Sequence, residues 1–232
     1  MVGERTRLTP DRADRFTLCG SLAAIATMHG KERVIAPVLS AGLGLECRVP
    51  AGLDTDRFGT FSRERIRTAN ALEAAREKVA AAFAIMPEAR VAIASEGSFG
   101  PHPHIPFAPL GRELVVLIDR VTGLEIAGHD ATLDLRYAHV IARTTQDAEA
   151  FGERIGFPEH ALIVMGCAGD HPDPHIALCK GITTSQALAE AVGTAIALSG
   201  AAFVETDMRA HHNPTRMRAI ERASRDLIAR YQ

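Results

Sequence analysis

A glutamate, Glu96, closes the short apolar run Arg90-Val91-Ala92-Ile93-Ala94, with Ser95 before it and Gly97 and Gly100 after it. A carboxylate carried to a strand tip suits a hard cation such as Mg²⁺, which takes oxygen ligands and keeps several waters. The alternative is an acid capping nearby loop amides. Asp54 and Asp56, close together in the turn-rich stretch 50–65, are candidates to share that cation. Glu73 suits a solvated helix face and Asp119 a hairpin end. A second pattern is Thr27-Met28-His29-Gly30-Lys31. A strand that ends in a glycine turn before a helix leaves backbone N–H groups exposed at the helix start, an anion site to which Lys31 adds a point charge. The spacing is not that of a P-loop. A plain strand-to-helix turn with a solvated lysine fits the same residues.

The third pattern is "ETDMRAHHNPTRMRA", residues 205–219, which crowds Glu205, Asp207, Arg209, His211, His212, Asn213, Arg216 and Arg218 into one strand-to-helix junction. Arginines there suit bidentate recognition of phosphate, base or carboxylate oxygens. A salt-bridged helix start with Asn213 as its cap is equally easy to build from these residues. Lys180-Gly181-Ile182-Thr183 repeats the strand–glycine–helix theme, so Lys180 is a further anion contact. His102 and His104 alternate with prolines, a spacing a metal accepts, but neither a cysteine nor a third histidine lies close by in sequence. Ser95 and Ser98 lack the G-x-S-x-G elbow of a serine hydrolase.

The elements that must position these residues alternate between strand and helix. Strands are expected at 22–27, 45–49, 91–94, 113–119, 124–128, 161–165, 176–179 and 202–205, with 135–143 extending the sheet of the 113–128 hairpin. After Ala94 the strand is expected to give way to a loop stiffened by glycine and proline, and residues 166–175 are read as another loop. Helices are expected after the 27–31 turn, with Pro37 inside, and over Thr68–Met86 with Thr68 as cap. Others follow at 145–155, from Thr183 or Thr184 to about 198, and from Pro214 to the C-terminus. The class is α/β: a mixed sheet flanked by helices with a central antiparallel hairpin, built as a polar arm over 1–16 and one two-lobed domain over 17–232.

Composition narrows the partners. Net charge is −2 with 26 Lys+Arg against 28 Asp+Glu and 5% aromatics, which argues against a nucleic-acid or membrane partner and for a small ligand. The cysteines at 19, 47, 167 and 179 form no C-x-x-C pair, and the charged N-terminus lacks a signal-peptide core, so a reduced, cytoplasmic protein is expected.

Two resemblances follow. The segments "HGKERVIAPVL", "DTDRFGTFSRE", "ASEGSFGPHP", "GFPEHALIV", "KGIT" and "VETDMRAHHNPTRM" resemble an uncharacterised bacterial family described only as a domain of unknown function, which implies no activity. More remotely, the order strand–turn–Lys31–helix, alanine-rich helix, strand tip Glu96-Gly97 and hairpin is similar to the inosine/xanthosine triphosphate pyrophosphatases. That likeness implies a two-lobed α/β homodimer that uses Mg²⁺, or Mn²⁺, to cut nucleoside triphosphates to monophosphate and pyrophosphate. By it, Thr27 and Lys31 would hold phosphates, Glu96 would bind metal, and the junction near 209–216 would lie at the base-recognition segment. Together with the residue patterns above, the expected site has Thr27, His29, Gly30, Lys31 and Lys180 on phosphates, Lys31 and Glu96 catalytic, Glu96, Asp54 and Asp56 on metal, and Arg209, His211, Asn213 and Arg216 for base or substrate recognition. Val34 stands where those enzymes carry a helix acid. The resulting expectation is a Mg²⁺-dependent hydrolase of a phosphorylated small molecule. A nucleotide- or anion-binding regulatory module without hydrolysis is the alternative.

Overall fold

The computed structural model describes residues 17–55, 70–102, 104–105 and 109–232; Asp56 and Thr68 lie outside them. The strands fall into two sheets. The first is mixed, in the order β2-β1-β3-β4-β5: β1 (Leu22–Ala26), β2 (Glu46–Arg48), β3 (Val91–Pro101), β4 (Pro109–Asp119) and β5 (Leu124–Thr132). The second is antiparallel, in the order β6-β9-β7-β8: β6 (His139–Ala142), β7 (Leu162–Ala168), β8 (His171–Ile182) and β9 (Ala202–Thr206). Among the described residues, five α-helices accompany them: α1 (Glu32–Leu43), α2 (Ala71–Ile85), α3 (Thr145–Ile155), α4 (Ser185–Ser199) and α5 (Pro214–Tyr231). The mixed α/β class read from the sequence is the one observed.

The first sheet is wound in both directions from β1. Strand β1 is parallel to β2 on one side and to β3 on the other. Alternation along the strands sends Ala23, Ile25, Val91 and Ile93 to a core shared with Ile35 and Leu39 of α1 and Ile220 and Leu227 of α5. The opposite face sends Ala24, Ala26, Ala92 and Ala94 against Ala75, Val79 and Ala82 of α2. Helices α1 and α2 therefore cover opposite faces, and the strand order reverses at the carboxyl ends of β1 and β3. Such a switch point is where ligands bind in open α/β sheets.

Three expectations are corrected. Strand β3 does not stop at Glu96: it runs to Pro101, paired with β4 from Val91↔Asp119 through Glu96↔Leu114 and Gly97↔Glu113 to Pro101↔Pro109. Two glycines and a proline weaken strand propensity, but the partner strand supplies the ladder and overrides it. The segment 166–175, read as a loop, forms the ends of the β7–β8 hairpin, which turns at Gly169. Strand β6 joins β9 in the second sheet and does not extend the first. Helix α2 is capped by Asn70, whose Oδ1 accepts from the Glu73 N–H at 2.9 Å while Glu73 Oε2 accepts from the Asn70 N–H at 3.3 Å. Helix α1 runs through Pro37 and ends at Gly44, whose φ of 68° only glycine adopts without strain. The Asp119 hairpin end is as expected, held by Arg90 Nη2 at 2.9 Å, Thr122 Oγ1 at 2.8 Å and the Val121 N–H at 2.9 Å.

Helix α5 follows β9 of the second sheet and returns to pack on β4 and β5 of the first. Its approach depends on Gly128 of β5, where a Cβ would fall on the Ala223 carbonyl oxygen and the Leu227 backbone nitrogen. Gly128→Ala is expected to lower unfolding free energy by about 1–3 kcal/mol, the usual scale for overpacking. Gly193→Ala, in exposed α4 with open space around it, is expected to raise it by roughly 0.5–1 kcal/mol through backbone entropy. Urea denaturation of both variants checks the pair; equal effects would mean that the α5–β5 contact is not the tight one.

Candidate functional site

The β1 turn, the β3 tip and the β9–α5 junction meet at the switch point. Thr27 is buried, and its Oγ1 accepts from the His29 N–H at 3.4 Å. Gly30 takes φ 69°, and Lys31 directly precedes α1. Lys31 is not solvated: it is 6% exposed and its Nζ donates to the Ser95 carbonyl at 3.1 Å. On the other face of β3, Glu96 forms an ion pair with Lys78 of α2. From β4, Glu113 Oε1 accepts from Arg216 Nε of α5 at 2.7 Å. Arg216 Nη1 donates to the Met208 carbonyl, and the guanidinium lies 5.1 Å from the centroid of the Phe99 ring. Lys31, Lys78, Glu96, Glu113 and Arg216 are thus five buried ionisable groups around one strand tip.

Gly97 makes the cluster possible. It faces Glu113 across the ladder, and a Cβ there would sit 2.6 Å from Glu113 Oε1 and 2.8 Å from Arg216 Nη2. The glycine vacates the space that the ion pair fills. Removing one partner of a buried pair of this kind costs about 3–5 kcal/mol, because the other charge is left in a dry interior. Burial first, then repulsion from Arg216 and Lys78, lowers Lys31 to about 7, against the opposing pull of Glu96 and Glu113. Burial raises Glu113 above the usual carboxylate range, with Arg216 and Lys31 opposing the shift.

A rim of imidazoles and one clamped guanidinium lies beside this cluster. His29 and His211 stack with centroids 5.1 Å apart and 13° between planes, and His211 lies 4.0 Å from His212. Desolvation, with His212, His29 and Arg209 nearby, lowers His211 to about 4. Asp207, fully buried, grips Arg209 through Nε at 3.0 Å and Nη2 at 2.6 Å. Gly181, with φ 70°, passes close enough that a Cβ would lie 2.8 Å from His212 Nε2 and 3.2 Å from Arg209 Nη2. That contact brings the exposed Lys180 next to the rim. Asn213 is the buried cap of α5, its Oδ1 accepting from the Arg216 N–H at 2.9 Å and its Nδ2 donating to Met208 Sδ at 3.3 Å.

A cavity of about 360 Å³ borders the cluster, lined in part by Leu72, Glu96, Ser98, Arg112, Glu113 and Asp130. Among the described residues, Ser95 Oγ and Glu113 Oε2 are buried without a hydrogen-bond partner. No three His, Cys, Asp or Glu residues gather into a metal-holding group among the described residues. Mg²⁺ needs fewer: one or two carboxylates suffice when phosphate oxygens and waters complete its octahedron. Glu96, on the face that α2 covers, lines this cavity and is the carboxylate that fits such a donor set; Glu113 turns its carboxylate to the opposite face, toward Arg216. Asp54 is exposed and does not line the cavity, although Thr55 beside it touches the β1 turn through its N–H to Met28 Sδ at 3.3 Å. His102 and His104 pack edge to face, with the His104 N–H on His102 Nδ1 at 3.1 Å.

Sequence reasoning missed Lys78 and Glu113. The signal for Lys78 was present: it stands on the apolar face of α2 with Ala74, Ala75, Val79 and Ala82, and it is one of three lysines in a chain of 23 arginines. Glu113 opens an apolar run and reads there as a strand boundary.

These features describe a mixed α/β protein with a buried ion cluster at a sheet switch point. Residues 83–232 match the family described as a domain of unknown function, DUF6671, and the chain belongs to that family. The matched region holds Glu96, Glu113 and the 205–219 junction, while Lys31 and Lys78 precede it. No curated protein matches the chain.

The depressed Lys31 ammonium has a thermodynamic signature. In the native state it releases its proton near 7, and in the unfolded chain near 10.5. Between those values the unfolded state holds the extra proton, so stability rises with pH, by at most about 1.4 kcal/mol per pH unit. Lys31→Met is expected to flatten the stability profile over that window relative to the parent chain. Parallel profiles from urea melts at pH 7, 8, 9 and 10 would show that Lys31 is charged in the folded protein.

Proposed function

We propose that the protein is a Mg²⁺-dependent hydrolase of a phosphorylated small molecule, with a nucleoside triphosphate cut to monophosphate and pyrophosphate as the leading case. The observation that carries this reading is the meeting of the β1 glycine turn, the Glu96 tip and the Arg209–Arg216 junction at one switch point. Backbone N–H groups around Gly30 and the Lys31 ammonium bind the terminal phosphates. Arg209, held flat by Asp207, offers a guanidinium fork to a phosphate or base oxygen. His29 and His211 present stacked imidazole faces beside it. Arg216 and Asn213 act from within the wall, anchoring Glu113 and the start of α5. Glu96 would hold the cation, with phosphate oxygens and waters completing its shell. When bound, Mg²⁺ neutralises developing phosphate charge and lowers the pKa of an attacking water.

The same reading places the protein in the cytoplasm, in keeping with four free cysteines, and takes it to be a homodimer without a nucleic-acid or membrane partner. Among the described residues no helix is long and apolar enough to cross a membrane. A second reading, a nucleotide- or anion-binding regulatory module, is favoured by two features: Glu96 is already paired with Lys78, and α1 carries Val34 where the resembling enzymes carry an acid.

Incubation with Mg²⁺ and a panel of ordinary and deaminated nucleoside triphosphates separates these readings. Pyrophosphate release from one nucleotide class is expected, reduced on the order of 10²-fold or more in Glu96→Gln, with circular dichroism confirming that the variant folds. Nucleotide-dependent thermal stabilisation with no product would select the binding module, and silence in both assays would overturn both readings.

A further inference from the structure

The Lys78 ammonium is the ion-pair partner of Glu96, the carboxylate to which the hydrolase reading gives the metal. It reaches there from the buried face of α2, and the two side chains are 8% and 3% exposed. Lys31, Lys78 and Arg216 supply three cations around this point, against the two carboxylates Glu96 and Glu113. A divalent cation arriving alone would add to an excess of positive charge and push an ammonium away from its carboxylate inside a water-poor site. A phosphate arriving with the cation removes both obstacles, because it supplies the negative charge and gives the ammonium new oxygen partners. The lysine stem is flexible enough for such an exchange, as a rigid planar guanidinium is not.

We propose that Lys78 is a positioning residue, the resident counter-ion of Glu96, which transfers to a phosphate oxygen when metal and phosphate enter together. Metal and phosphate then bind with strong positive coupling, and metal alone binds weakly. This inference rests on the hydrolase reading above.

The test is calorimetric and spectroscopic, independent of turnover. Mn²⁺, methylenediphosphonate and the two together are titrated into the full chain, with electron paramagnetic resonance reporting bound Mn²⁺. The parent protein is expected to bind Mn²⁺ at least tenfold more tightly in the presence of the diphosphonate. Lys78→Met is expected to bind Mn²⁺ alone at least tenfold more tightly than the parent and to lose most of the coupling, while Lys78→Arg keeps the parent's weak binding of metal alone. Lys78→Gln serves as a second neutral variant, and thermal melts establish which variants fold. If neither neutral variant folds, the parent's coupling decides, and its absence overturns the proposal. If Lys78→Met binds Mn²⁺ no better than the parent while both bind the metal–diphosphonate pair, the role of Lys78 is overturned and the hydrolase reading stands. If the parent binds neither ligand in any combination, the hydrolase reading falls as well.

Discussion

Everything around the switch point depends on keeping five ionisable side chains together in a site almost without water. Charges in such a place are tolerable only in pairs with good geometry, and the pairs here are drawn from elements far apart in sequence. Glu96 of β3 takes Lys78 from α2, and Glu113 of β4 takes Arg216 from α5. Lys31 bonds to the Ser95 carbonyl between them. The pairs therefore tie α2 to one face of the first sheet and α5 to the other through a single strand tip. A misplaced helix would leave a buried charge without its partner. The cluster is a constraint on assembly as well as a candidate for chemistry.

The same cluster explains the composition of β3 beyond Ala94. In an ordinary edge segment, Ser-Glu-Gly-Ser-Phe-Gly-Pro would be a poor strand. Here Gly97 leaves room for Glu113 and Arg216, and Phe99 offers its ring to the same guanidinium. The glycine that weakens local propensity is the residue that admits the tertiary interaction. Helix α5 then carries the effect to the second sheet. Its cap, Asn213, follows the Arg209–His212 turn, and the Ala161 N–H at the start of β7 bonds to the His212 carbonyl at 3.1 Å.

This accounts for how much of the molecule was legible in the chain. The helices were, because caps and periodicity are local: Thr184 before α4, Pro214 at the start of α5 and Gly44 after α1 all mark their ends. The β1 turn and the hairpin at Asp119 were legible for the same reason. What local pattern could not carry was any pairing between distant strands, so the outer half of β3, most of β8 and the division into two sheets were misread. At the candidate site, loop chemistry pointed to Lys31, Glu96 and Arg209, while local pattern did not single out the residues embedded in regular elements. Lys78 looked like one turn of an alanine-rich helix, and Glu113 like the polar start of a strand.

The distribution of basic residues sharpens the meaning of the cluster. The chain uses arginine 23 times and lysine three times, yet two of those lysines, Lys31 and Lys78, are buried at the switch point. Arginine is the better residue for a permanent buried pair: it keeps its charge, it is less strongly hydrated and its fork matches a carboxylate. Arg216 fills that part toward Glu113. A lysine is a compact, movable charge whose proton can leave near neutral pH once it is desolvated. A protein that places its scarce lysines where arginine would bind more firmly has, at this one point, cations able to change partner. A rigid structural core has no use for that property, whereas a site that must accept and release an anion does.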